Sequence, residues 1–500
     1  MYLISLIMDN IKIKPYKWNK KDNKVLFKSC KLLDMKECQV YHPIYSLYFH
    51  VHNTKNSHKL MDINRKFYVK ELISLVNEKY HTSNCHVKCK VLNNISNEVK
   101  DETLFCKCIP LLDPLSFMMN NYNNIVHRNH LLPSGYSYNT FHKINDMNNT
   151  AYIDTFFSLI VSELTINNIS PSFPIFYGSI NGIKGKFNYD ITEDYSNLNR
   201  EDWFYKNLGK TYSIDMYVSD SESESESESD SDSETDSDSS STSKSNSIIS
   251  QKIYGDDYIA SLKKIPCQLF FIEKLEGTLE DLLTENIDEL NTDIIISCIF
   301  QVSFALTYLQ KNFNFTHNDL HINNVMYNMT DKKFLYYKIN NKYFKIPTHG
   351  YIFKIIDFGR AIFSFHNKLF FNDTFDKHGE AEGQYSYPIE HLLFKDKEEK
   401  IEPNYNFDLC RLAITIIDKC RLCNNKDYRE KQQFVDFIYN LTISIHEKYL
   451  SELKDNFDMY IAIAKEANNA VPKDVIQNYI FNKFRIKKKN FPKKLYYKLD

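Results

Sequence analysis

The sequence predicts a mixed α+β fold, with strands gathered in its first half and long apolar helices in its second. Three observations predict this. His86–Leu92 (HVKCKVL) and Thr103–Ile109 (TLFCKCI) alternate apolar and polar residues, the two-residue period of half-buried strands. Tyr152–Thr165 (YIDTFFSLIVSELT) carries apolar residues at helical spacing and no breaker, so it reads as a helix. Thr292–Gln310 is apolar almost throughout and too long for a strand, as befits a helix buried on all sides.

Taken in order, Met1 to about Tyr80 is rich in Lys and Asn and has one amphipathic stretch, Lys70–Glu78. Nothing in it carries chemistry, and residues 1–84 read as an extension. After the first helix, PIFYGSI at Pro174 reads as a strand. Ser219–Ser243 alternates Ser or Thr with Asp or Glu. Such a run buries nothing and repels itself, so residues 219–247 are expected to be a disordered surface insertion, either a solvated spacer or a phosphoacceptor tract. Cys267–Glu273 (CQLFFIE) is a continuous apolar strand, and KLEGTLEDLL turns at Gly277 into a helix. Beyond Thr292–Gln310 come a short strand (NVMYN), an aromatic-rich, hairpin-like insert (Lys332–Tyr351) and a second strand (IFKIIDF). Phe407–Asp418 (FDLCRLAITIID) reads as a buried helix. The tail from Lys483 interleaves Lys with Phe and Tyr; it reads as a solvated basic tail, the alternatives being a nucleic-acid or acidic-membrane contact or folding back on the chain's own acidic tract.

Composition narrows the class. Glycine is scarce, 11 in 500 residues, where average usage gives about 35. The net charge of −2 hides a segregation, because Asp220–Asp238 holds ten of the 64 acidic residues and the rest of the chain is net basic. The sum is therefore a poor guide to partners. Eleven scattered cysteines with no secretory signal argue for a reducing compartment. No run approaches the ~18 apolar residues of a membrane span. A soluble, intracellular protein is expected, in a host cytoplasm or a virion, monomeric, with no nucleic-acid partner.

The chemistry is concentrated in Phe315–Asn324 (FTHNDLHINN) and Lys354–Ala361 (KIIDFGRA). Asp319 is followed five residues later by Asn324, and Asp357 opens an Asp-Phe-Gly triplet after an apolar run. Phosphoryl transfer from ATP needs one carboxylate to orient the acceptor hydroxyl and hard oxygen ligands to hold Mg²⁺ against the phosphates. H-x-D-L-x-x-x-N with D-F-G is the protein-kinase signature, and the linked pair is far more specific than either half. The chain resembles a eukaryotic-type protein kinase. It is similar in particular to the divergent serine/threonine kinases of mimivirus-like large DNA viruses, through LLDP (Leu111–Pro114), NNTAYIDTFF (Asn148–Phe157) and PNYNFDLCRL (Pro403–Leu412).

The resemblance implies a two-lobed fold over about Cys85 to Ile480. Residues 85–275 would form a small antiparallel-sheet lobe with one main helix, residues 276–480 a mostly helical lobe, and residues 481–500 the tail. It implies that Asp319 is the general base and that Asn324 and Asp357 hold Mg²⁺. Lys107 on TLFCKCI would meet the ATP phosphates, with Lys143 its rival, and Glu163 on the helix would pair with the lysine. Backbone groups of Glu273 and Leu275 would meet adenine, with Ile272 at the back of the pocket. Asp408 would hold the catalytic loop from below. Phe363–Tyr387 would be the activation segment, closed by Pro388-Ile389-Glu390, a loose match to A-P-E.

Three departures from the pattern sharpen these expectations. No glycine-rich loop precedes Lys107. Asn318 replaces the usual arginine, so no guanidinium is available there to grip an activation-segment phosphate. His321 replaces the usual lysine, and it either donates to the γ-phosphate or only packs. Cys420 and Cys423 form a lone C-x-x-C without a second pair, which reads as two buried thiols rather than a zinc site. The expected function is ATP- and Mg²⁺-dependent transfer to Ser or Thr of protein substrates. A small-molecule kinase, whose loop commonly reads H-N-D, and a pseudokinase scaffold are the rivals.

Overall fold

Strand alternation in the first half and long apolar helices in the second resolve, in a computed structural model, into two lobes joined by one core. The structure describes residues 11, 13–48, 57–78, 82–122, 131–135, 140–218, 256–285, 292–377, 379–386, 401–420, 431–454 and 456–499. The acidic insertion 219–247, Pro388-Ile389-Glu390 and Cys423 lie outside the described residues.

The first lobe is a seven-stranded antiparallel sheet. Its strands are β2 (Met35–Gln39), β4 (Phe67–Glu78), β5 (Cys85–Asn93), β6 (Glu98–Pro110), β7 (Phe176–Asp190), β8 (Tyr212–Val218) and β9 (Asp256–Glu273). They run in the order β2-β7-β9-β6-β5-β4, with β8 also paired to β9. Alternation sets the faces: Cys85, Val87, Cys89 and Val91 of β5 are buried while Lys88 and Lys90 are exposed. A separate pair, β1 (Pro15–Lys17) with β3 (Met61–Ile63), braces the edge.

The expected boundary at residue 84 runs through this sheet, because β4 pairs with β5 and β2 with β7. Lys70–Glu78 read only as amphipathic for a physical reason. Register shifts fall at Val69/Glu71, Leu72/Ser74 and Leu75/Asn77. Each bulge adds a residue, so the apolar positions Val69, Leu72 and Leu75 fall three apart and imitate a helix. Helix α1 (Lys20–Ser29), capped by the Asn19 side chain, packs on β4. A buried ion pair fastens the segment: Arg65 donates to both carboxylate oxygens of Asp62 at 2.7 and 2.9 Å, and Trp18 Nε1 donates to Asp62 at 3.0 Å.

Helix α2 (Thr150–Ile166) lies against the sheet, with 13 of its 17 residues buried and the Asn149 side chain accepting from the Ala151 N–H. In the second lobe the principal helices are α3 (Leu279–Glu285), α4 (Thr292–Phe313), α5 (Phe407–Cys420), α6 (Gln432–Asn440) and α7 (Phe457–Glu466). Contrary to the expectation that no run approaches a membrane span, α4 is long and apolar enough to cross a membrane, but 83% of its most apolar window is buried inside the protein, which marks a core helix.

Short sheets complete this lobe. β10 (Gly277–Thr278), β11 (Val325–Met329) and β14 (Tyr351–Ile355) form one. The insert folds as the hairpin β12 (Phe334–Ile339) and β13 (Lys342–Pro347). The tail expected to be solvated instead docks on that hairpin. β17 (Tyr497–Leu499) adds to β12 in parallel, and the Phe491 ring contacts Tyr343 and Tyr336 at 4.9 and 5.9 Å. The aromatic residues between the lysines supply the contact that a purely charged tail would lack. After Asp357 the chain forms a further hairpin, β15 (Ile362–Phe365) with β16 (Lys368–Phe371).

Candidate active site

The loop after α4 is shaped by its backbone hydrogen bonds. Asn314 and Asn318 adopt positive φ, conformations that asparagine tolerates better than most residues. Thr316 exchanges two 3.0 Å backbone bonds with Ile362. Asp408, fully buried in the first turn of α5, accepts the backbone N–H groups of His317 and Asn318 at 3.0 Å. Burial pushes its pKa up, while His317 and those N–H donors act against the shift.

Two loops distant in sequence are thereby stitched together. His317 Nε2 donates to the Ile356 carbonyl at 2.9 Å, and the Ile356 N–H donates to the Asn324 carbonyl at 3.1 Å. The Asn324 amide donates to the Asp319 carbonyl at 2.8 Å. Asp357 has φ +63°, a strained conformation for a non-glycine residue and one that tends to mark functional positions. Phe358 is buried behind it, 5.1 Å from the Phe157 ring and 5.6 Å from His317.

Lys107 projects from β6 into this junction. Its Nζ lies 2.6 Å from Asp154 Oδ2 and 2.8 Å from Asp357 Oδ1. Burial works to lower the pKa of this ammonium, but the two carboxylates outweigh it and the net shift is upward. Burial likewise pushes Asp357 up, yet Lys107 prevails and brings it down to about 2. Asp154 Oδ1 also accepts the Phe358 N–H at 3.0 Å, so one α2 carboxylate ties the strand lysine to the Asp-Phe-Gly turn.

The acid that meets Lys107 is therefore Asp154, and Glu163 is not part of the pair. Glu163 lies nine residues further along α2, about 13 Å at 1.5 Å per residue. It accepts from the Asn167 amide and, with Arg65 and Lys66, lines a cavity of about 370 Å³ at the far end of the helix. The glutamate that the resemblance implies lies at the wrong end of the helix. A usable signal was present: Asp154 is a carboxylate inside the apolar run AYIDTFF, and a buried charge requires a partner. The rival Lys143 meets Asp373 at 3.5 Å instead.

Glu273 ends β9. Its side chain accepts from Lys354 at 2.9 Å and from the Ile175 N–H at 3.0 Å, while its own N–H donates to the Ile175 carbonyl. The side chain thus braces the connection between the lobes, with buried Leu275 two residues on. The chain between β4 and β5 enters β5 at Cys85, which pairs with Cys106, the neighbour of Lys107. It reads KYHTSN and has no glycine, and Asn84 anchors its end by accepting the Cys108 N–H at 2.8 Å.

His321 contacts the Asn323 N–H at 3.3 Å and the Asn324 amide at 3.1 Å, and burial lowers its pKa. Asn318 donates to the Arg360 carbonyl at 2.8 Å and accepts from the Tyr385 hydroxyl at 3.0 Å. Asp319 Oδ1 accepts from the Tyr460 hydroxyl at 2.8 Å, and Arg360 Nη1 lies 3.8 Å away.

The oxygen donors suit Mg²⁺, a hard cation that keeps several waters and takes few protein ligands. Asn324 spends its amide hydrogens on Asp319 and His321, and among the described residues no donor reaches its Oδ1. Asp357 gives Oδ1 to Lys107 and Gly359, and its side chain remains 40% exposed, which leaves Oδ2 available. Among the described residues there is no cluster of three His, Cys, Asp or Glu residues able to hold a metal. The ten described cysteines are free thiols, and burial pushes Cys420 up to about 12.

No family model matches the chain. A protein of Dictyostelium discoideum named as a serine/threonine-protein kinase is 35% identical over 20% of this chain and 9% of its own length. The serine/threonine-protein kinase haspin of Mus musculus is 31% identical over 20% of this chain and 14% of its own. A protein of Acanthamoeba polyphaga mimivirus, named as a serine/threonine-protein kinase, is 25% identical over 32% of this chain and 46% of its own. The chain thus spans less than half the length of each of these relatives. It is similar to serine/threonine kinases, a mimivirus protein among them, and has the two-lobed α+β architecture that the resemblance implied.

Proposed function

We propose that this chain is an ATP- and Mg²⁺-dependent protein kinase that transfers the γ-phosphoryl group to serine or threonine hydroxyls of protein substrates. The observation that carries the reading is the position of Lys107, within 2.8 Å of both Asp154 and Asp357. That arrangement links the phosphate-facing strand, the main helix and the metal-binding turn, the three parts that must be in register for phosphoryl transfer.

In this reading Asp319 accepts the hydrogen bond of the acceptor hydroxyl and orients its oxygen. Asn324 Oδ1 and Asp357 Oδ2 hold Mg²⁺, which neutralises charge on the phosphates. Lys107 sets the phosphates in place, and Asp154 keeps the lysine extended. The backbone around Glu273 and Leu275 receives the adenine. Placement and charge neutralisation supply most of the rate in such a reaction. A pseudokinase would have no use for the intact set Lys107, Asp154, Asp319, Asn324 and Asp357. Protein rather than small-molecule substrates are favoured by the names of the relatives and by the ordered segment after Asp357, which a protein substrate would lie against.

The test is incubation with γ-labelled ATP, Mg²⁺ and a mixed protein substrate, beside Asp319→Asn and Lys107→Met. Label should appear on serine and threonine, and each variant should lose at least about 100-fold in rate. Undiminished labelling by Asp319→Asn, or no nucleotide binding at millimolar concentration, would sink the reading.

A further inference from the structure

A carboxylate that orients a hydroxyl must present one chosen oxygen, and free rotation about its last torsion exchanges the two. In the kinase pattern that Phe315–Asn324 resembles, a lysine two residues after the aspartate is available to act as a cation beside the reacting groups. Here the position is His321, and both of its ring nitrogens face Asn323 and Asn324. The Asp319 carboxylate receives its contacts from elsewhere. Tyr460, which lies 141 residues downstream on α7, donates its hydroxyl to Oδ1 at 2.8 Å, and Arg360 approaches the same oxygen at 3.8 Å. Both contacts fall on Oδ1, which leaves Oδ2 for an incoming hydroxyl.

Tyr460 is itself held in place. The Arg411 guanidinium lies 4.8 Å from its ring centre and that of Arg360 lies 5.6 Å away. Phe457 stacks beside it at 6.1 Å and Phe407 lies tilted at 6.0 Å. The Asn404 amide donates to the Ala464 carbonyl at 3.2 Å and to the Ala467 carbonyl at 2.9 Å, fastening the end of α7 to the segment before α5. That is more support than a surface tyrosine needs, and it converges on one hydroxyl. Burial, with Asp319 adding to it, raises the phenol to about 12, so the hydroxyl remains a donor at any working pH.

Resting on the kinase reading above, we propose that Tyr460 is a positioning residue for the phosphoacceptor base: it fixes Asp319 through Oδ1 so that Oδ2 meets the substrate hydroxyl. The arrangement transfers to a helix of the second lobe a task that this catalytic loop does not perform alone.

The test is Tyr460→Phe in the full chain, which removes the hydroxyl and with it the bonds to Asp319 and Arg411, and keeps the ring beside the two guanidinium groups. kcat for transfer to protein should fall about 10- to 100-fold, the range for a hydrogen bond to a charged group. KM for ATP and the thermal midpoint should stay within twofold and within about 2 °C of the parent, since neither nucleotide contacts nor packing change. In an Asp319→Asn background the same substitution should have no further effect, because the two residues act as one unit. A Tyr460→Phe kcat within twofold of the parent, with Asp319→Asn inactive, overturns the proposal and leaves the kinase reading intact. A fall in kcat matched by weaker ATP binding or a lower thermal midpoint also overturns it, since that is the mark of a packing role. Full activity of Asp319→Asn overturns the kinase reading itself, and the proposal with it.

Discussion

At the scale of single residues, the site depends on which carboxylate meets Lys107. An aspartate is one methylene shorter than a glutamate, so the pair at 2.6 Å requires α2 to lie close to β6, and the buried run AYIDTFF makes that approach possible. Asp154→Asn should lower kcat/KM for ATP by about 100-fold, because the strand lysine loses its anchor on the helix and the Phe358 N–H loses its charged acceptor. Glu163→Gln should stay within twofold of the parent in the same steady-state assay. The reverse ranking would restore Glu163 to the pair and remove Asp154 from it. What the sequence made legible here follows from chemistry. Asp319, Asn324 and Asp357 could be named because each role accepts almost no other residue type. The partner of Lys107 depends on which end of a 17-residue helix faces the cleft, and the local signal for that is a single carboxylate, Asp154, set inside an apolar run.

At the scale of elements, α2 is supported from its far side by the segment before β4, which carries no chemistry of its own. His42 is buried against Tyr152 of α2 at 4.5 Å and stacked on Tyr45 at 5.0 Å. Burial holds its pKa down to about 3, against about 6.5 in an unfolded chain. The sign follows from proton uptake. Above pH 6.5 both states are neutral and the residue has no effect. Below it the unfolded chain binds the proton first, so stability falls as pH drops from 6.5 towards 3, by at most about 1.4 kcal/mol per pH unit. Urea unfolding at pH 6.5 and pH 5 should therefore show a loss of about 1.5 kcal/mol in the parent that is absent in His42→Leu. Equal losses in both would mean that His42 is protonated within the fold. The bulges of β4 mask the strand that joins this segment to the sheet: a three-residue apolar spacing carries no strand signal, although β4 pairs with β5 from Phe67 to Glu78 across three register shifts.

At the scale of the molecule, α2 is clamped between that segment and the hairpin that follows Asp357. Phe363 lies 4.4 Å from Phe157, and Phe370 lies 5.4 Å from Phe156. The start of α2 is fixed as well: Asp373 accepts the Thr150 N–H at 3.1 Å and Asn372 accepts the Thr150 hydroxyl at 2.8 Å. The hairpin after Asp357 is thus part of the apolar core, where switchable segments are loosely packed and charged. Its second anchor is equally independent of phosphate. Tyr385 donates to Asn318, at the position where an arginine would otherwise wait for a phosphorylated residue, and Arg360 is engaged with Glu380 at 3.0 Å and faces Asp319. Ordering a segment by phosphorylation requires an unfilled cationic site and a segment that is loose without it, and neither condition is met around Asn318. Protein made in bacteria and treated with phosphatase should therefore keep its rate of transfer within twofold, measured with the same labelled ATP. Tyr385→Phe, which removes the hydroxyl that bridges to Asn318, should lower that rate whether or not phosphatase is used. A loss of more than tenfold on phosphatase treatment, restored by rephosphorylation, would show that the order around Asn318 and Tyr385 is not what holds the enzyme in its working state.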